Sequence, residues 1–104
     1  MNKTFLLLAG LLCSGTALAQ DTYLTGNIQG LTTLPNGTEI MLDAGAPTNC
    51  EGTHHNWMFI PQTNTAMTSA ALASWESGKR KVTVYTSGLN SDGLCQISQI
   101  QPQE

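Results

Sequence analysis

Polar and apolar positions alternate along most of this chain. In "KVTVYTSG", Val82, Val84 and Thr86 alternate with Thr83 and Tyr85, the period-two pattern of a half-buried strand. "TYLTGNIQGLTTL" places Leu24 and Ile28 among β-branched residues with Gly26 and Gly30 inside the run, which predicts a long strand that bends or bulges at a glycine. "LPNGTEIMLD" follows, and Asn36-Gly37 predicts a hairpin, because both positions tolerate the positive φ of a type I′ turn. "DAGAPTNCEGTHH" reads as a loop, "HNWMFIP" as a short strand ended by Pro61, and "LCQISQIQP" as a last strand after the turn "LNSDG". One segment has helical spacing. In "TNTAMTSAALASWESG", Met67, Ala71 and Trp75 recur at i+4 beside Leu72, Thr63 or Thr65 caps the start, and Gly78 closes the end.

The chain's first residues bear on its compartment. Lys3 precedes an apolar run, Phe5 to Leu12, far shorter than the roughly 20 residues a membrane-spanning helix needs, and Ala17-Leu18-Ala19 has the small-x-small form of a cleavage site. These features predict a signal peptide over 1–19, a single mature domain over 20–104, no membrane span, and a secreted protein, periplasmic or extracellular. Cys13 lies inside the leader. Lipid attachment there would require a small residue before it, where Leu12 stands. The mature domain then has two cysteines, Cys50 and Cys95, and in an oxidising compartment such a pair is most simply a disulfide.

Charge narrows the partners. Without Lys3, the triplet Lys79-Arg80-Lys81 alone opposes seven acidic side chains. Binding to a phosphate backbone draws its free energy from many cations, so no nucleic acid is expected as a partner. The triplet follows the helix, where cations favour the exposed carbonyls. It does not complete a phosphate loop, because Ala73 replaces the first glycine and Arg80 the Ser or Thr after the lysine.

Catalytic patterns are missing. No Gly-x-Ser-x-Gly elbow occurs, and the two histidines, His54 and His55, are adjacent, so on a strand they point to opposite faces and do not chelate one metal together. "NSDG" lacks the repeated acids of a calcium loop and reads as a turn; Asn36-Gly37-Thr38 matches a glycosylation sequon but is read as the hairpin turn. The expectation is a non-enzymatic domain with no catalytic residue, no metal and no cofactor. The best placed recognition residues are His55, Asn56 and Trp57. On a strand starting at His55, Trp57 and Phe59 share a face with His55, and a partly exposed Trp beside His and Asn suits the apolar face and hydroxyls of a sugar.

The element order β-β-β-α-β-β predicts a mainly β fold with one helix (α+β) and one disulfide: an OB-fold-like five-stranded barrel, whose usual helix lies between the third and fourth strands. Another small α+β sheet with the helix on one face has the same element order. The helix through "TSAALASWESGK" running straight into "KVTVYTSG", with Cys50 before the third strand and Cys95 after the fourth, resembles the B subunits of bacterial AB5-type toxins and small secreted relatives over roughly residues 50–100. The resemblance implies an exported OB-fold with a disulfide, a homo-oligomer in the form of a pentamer, binding of a cell-surface glycan or protein, and a separate catalytic chain as partner; no site residue is carried over from it. The alternative is a periplasmic or secreted structural or inhibitor-like module that binds another protein. Changing Lys79, Arg80 and Lys81 together to Gln is expected to cost little stability and to leave no nucleic-acid affinity to lose. Salt-sensitive binding of single-stranded DNA by the wild type, abolished by the triple change in a fluorescence titration, would overturn this reading.

Overall fold

The computed structural model describes residues 21–103, so the predicted leader over 1–19 lies outside the described residues. Five strands, β1 (Tyr23–Leu34), β2 (Gly37–Leu42), β3 (Met58–Pro61), β4 (Lys81–Leu89) and β5 (Cys95–Pro102), form one sheet, with one helix, α1 (Thr65–Ser77), between β3 and β4. The protein is therefore mainly β with one helix, and Cys50 is bonded to Cys95. Among the described residues no helix is long and apolar enough to cross a membrane.

The lateral order of the strands departs from their order along the chain. β5 lies between β3 and β4, and β1 pairs with both β2 and β4, so the sheet runs β1-β2-β3-β5-β4 and closes on itself. All pairings are antiparallel except β3 with β5, which is parallel and consists of Met58 opposite Cys95 and Phe59 opposite Gln96. Closure gives each strand a neighbour on both sides and an inward row. Ile28, Ile40, Leu42, Met58, Ile60, Val82, Val84 and Ile97 form the core, all but fully buried.

The expected irregularity in β1 is present: register shifts between Ile28 and Gly30, next to the glycine. The hairpin turn differs from expectation by one residue. Leu34 pairs with Gly37, so the turn residues are Pro35 and Asn36, and neither they nor Gly37 has a positive φ. Proline explains the shift, since its fixed φ suits the first turn position and excludes a type I′ turn there. Gly37 is required for room instead. A Cβ at this position would run into the Ile60 backbone carbonyl and come 2.7 Å from the Phe59 ring.

α1 is capped by Asn64, not by Thr63 or Thr65; the Asn64 side chain accepts from the Met67 N–H at 3.2 Å. Gly78, at φ 81°, closes the helix in the left-handed conformation as expected. Met67 and Ala71 enter the core, Trp75 packs against it, and Ser74 is buried on the same side. Arg80 does more than follow the helix. Its Nε donates to the Trp75 carbonyl at 3.3 Å, and its guanidinium lies 3.7 Å from the centre of a Trp75 ring. Such a contact is worth about 0.5–1 kcal/mol at a partly exposed site, so Arg80 is the member of the basic triplet whose loss has a cost.

The disulfide spans 45 residues. In the chain-entropy account, a loop of that length stabilises the fold by about 4 kcal/mol. Urea unfolding of the Cys50→Ser, Cys95→Ser protein should show a loss of that order, and the oxidised protein should have no titratable thiol at Cys50 or Cys95. Equal stability of the two forms would show that closure of the sheet does not rest on this bond.

Candidate functional site

The outward face of β1, β2 and β3 collects the chemistry. Strand alternation turns Gly37, Glu39 and Met41 of β2 outward, opposite Leu34, Thr32 and Gly30 of β1. Pro61 and Phe59 of β3 stand across from Gly37 and Glu39, and Trp57 precedes β3 on the same side as Phe59. Two rings lie on two glycines: a Cβ on Gly30 would meet the Trp57 ring at 3.2 Å, as one on Gly37 would meet Phe59. Trp57 remains half-exposed, whereas Phe59 is buried.

Glu39 sits on β2 between these seats and is only 9% exposed. Burial pushes its carboxyl above the ordinary glutamate range, and the positive potential of His54 opposes this in part. A carboxylate in this position is costly to the fold when charged and is available to a ligand that supplies hydrogen-bond donors.

The predicted site residues fall differently from expectation. His54–Asn56 is a single 3-10 turn and not the start of a strand, with His55 at φ 48° and Asn56 at φ 63°. His55 therefore does not share a strand face with Trp57 and Phe59. The expected divergence of the histidines is also reversed, because the turn brings the rings of His54 and His55 edge to face with centres 4.0 Å apart. His55 and Asn56 are exposed, and Asn56 borders a hollow of about 280 Å³ that Thr48, Glu51 and the buried Cys50 also line. Left-handed backbone at consecutive non-glycine residues costs about 1–2 kcal/mol each, although Asn tolerates it better than most.

Thr53 holds this strained turn in place. Its buried hydroxyl donates to the Trp57 carbonyl at 2.8 Å and accepts from the Cys95 N–H at 3.0 Å. One side chain thus links the disulfide, β5 and the residue that carries the aromatic ring. Asp43 is engaged away from the histidines: its carboxylate accepts from the Asn27 backbone N–H at 2.8 Å and from Asn27 Nδ2 at 3.2 Å, and these bonds hold it below the usual carboxylate range. Among the described residues no cluster of three or more His, Cys, Asp or Glu could hold a metal ion. "NSDG" is a turn, in which the Asn90 side chain accepts from the N–H groups of Asp92 and Leu94.

Sequence reasoning missed Glu39 and Thr53. A carboxylate inside the otherwise apolar run "GTEIML" was the available signal for Glu39; Thr53 had none, because both its partners are set by the tertiary fold. The chain matches no family model, and comparison with curated proteins and with solved structures gives no significant match.

The raised carboxyl of Glu39 generates a prediction. A group whose folded pKa lies above its unfolded one favours the fold at low pH, and that contribution is lost as pH rises through the folded value. Glu39→Gln should therefore raise the melting temperature at about pH 7, and the gain should shrink as pH falls through the folded value and vanish below about pH 3.5, where wild-type Glu39 is protonated in both states. Thermal melts across this range measure it. A gain that grows toward low pH would show that the carboxylate is stabilised in the fold instead.

Proposed function

We propose that this is a secreted, non-enzymatic binding domain with an OB-like barrel, recognising a carbohydrate through the outward face of β1–β2–β3. The lateral order β1-β2-β3-β5-β4 with a helix between β3 and β4 supports the OB-like reading, and OB-folds bind ligands on the face of their second and third strands. The observation that carries the function is Trp57: a half-exposed ring seated on Gly30, beside the buried carboxylate of Glu39 and the exposed turn of His55 and Asn56. A sugar ring offers one apolar C–H face and a rim of hydroxyls. The first suits an indole, and the second suits an amide, an imidazole and a carboxylate.

A single site of this kind is open and weak. Repetition around a ring, as in the toxin B subunits the chain resembles, raises apparent affinity by orders of magnitude with no new contact. The oligomer, pentameric in that reading, places α1 partly at the subunit interface, where Leu72 is 38% exposed beside the exposed Thr65 and Ser69. A separate catalytic chain is the partner this assembly would deliver.

A second reading has its own observation. Tyr23, 56% exposed, lies 5.9 Å from Tyr85 on the outer side of β1 and β4. Exposed tyrosines are enriched at protein interfaces, so this pair favours a protein-binding module of structural or inhibitor type.

Light scattering and a glycan array decide between them. The carbohydrate reading expects an oligomer that binds some glycans when multivalent, with Trp57→Ala reducing binding at least about tenfold, the equivalent of about 1.4 kcal/mol. A strict monomer that binds no glycan leaves the tyrosine pair and a protein partner.

A further inference from the structure

A second hollow lies away from the Trp57 face, where the β1–β2 turn meets the start of α1. It encloses about 320 Å³ and is lined by Thr33, Leu34, Thr38, Gln62, Thr65 and Ser69, among others, with no charged side chain in its wall. Thr33 and Thr38 are directly paired across β1 and β2, and by alternation both project to the same side as Ile40, toward the end of the closed sheet that α1 borders.

Thr38 is the informative residue. It is only 4% exposed, yet its hydroxyl has no protein partner among the described residues. No enclosed polar side-chain atom there lacks a hydrogen-bond partner, so this hydroxyl opens into the hollow and is not sealed in the core. Around it stand the hydroxyls of Thr33, Thr65 and Ser69 and the amide of Gln62, groups that both donate and accept. Leu34, 38% exposed, supplies an apolar flank.

We propose that this hollow is a second binding site, for one neutral polyhydroxylated ring of monosaccharide size, with the Thr38 hydroxyl as its innermost contact. The class follows from the wall. Hydroxyl and amide groups set among apolar atoms match a ring that bears hydroxyls on an apolar frame, and a wall without a charged side chain disfavours phosphate, sulfate, carboxylate and ammonium ligands. The volume lies at the lower end of ligand pockets and suits one ring, not a chain of them. The site is independent of the carbohydrate reading of the Trp57 face.

The test is a two-dimensional amide NMR titration of the oxidised protein with the methyl glycosides of glucose, galactose and mannose, each as a free monosaccharide. N-acetylneuraminic acid serves as the charged comparison. At least one neutral glycoside should give saturable shifts at the amides of Thr38, Thr65 and Ser69. Thr38→Val should weaken that binding about tenfold, the loss of one hydrogen bond. Ser69→Leu, at an exposed helix position, should block the site by filling it, and serves if Thr38→Val fails to fold. Trp57→Ala should leave these shifts unchanged, which separates this site from the outward face. The proposal is overturned if none of the three glycosides shifts these amides, if the charged sugar binds more tightly than all of them, or if both Thr38→Val and Ser69→Leu bind as the wild type does.

Discussion

The closed sheet depends on its shortest seam. β3 and β5 meet in parallel over two residue pairs, whereas every other neighbouring pair of strands is antiparallel and longer. Parallel strands cannot be joined by a tight hairpin, and here the intervening chain runs through α1 and β4 before returning. Ladder hydrogen bonds over so few residues offset little of the entropy of bringing these strands together. The Cys50–Cys95 bond and the Thr53 hydroxyl supply the rest, both acting at the residue where β5 begins. Without that join the inward rows of β3 and β5 would not face each other, and the core would be open on one side.

The same join sets the candidate site. Thr53 bonds Cys95 with one side of its hydroxyl and Trp57 with the other, so the position of the indole is referred to the seam and not to a flexible loop. This accounts for the left-handed His55 and Asn56, whose unfavourable conformation is held by fixed points before and after them.

The strands and the helix were legible because each shows its own period: alternation in β4, i+4 spacing in α1, a glycine at the irregular point of β1 and another at the helix end. Legibility failed where a residue serves a distant neighbour. Gly37 reads locally as a turn glycine, but its partner is Phe59, far along the chain, and the turn moved to Pro35-Asn36. The segment His54–Asn56 contains no Gly or Pro to announce a turn, and it is folded back by Thr53 and by the seam beyond it. Of the three residues singled out for recognition, Trp57 lies on the outward sheet face, while His55 and Asn56 belong to the turn before it and Asn56 borders a separate hollow. Glu39 was invisible as a site residue because its environment is made by two strands and a turn that only the closed sheet assembles.

The two glycine seats also bear on how relatives of this chain would be judged. An aromatic residue retained at 57 or 59 would say little by itself, since either ring can be kept for burial alone. A side chain appearing at 30 would press on the Trp57 ring, and one at 37 would press on both the Phe59 ring and the Ile60 backbone, changing the contour of the face while every aromatic position stayed the same. The shape of this surface is thus recorded in two residues that have no side chain, and divergence in its contour would be read first in those glycines.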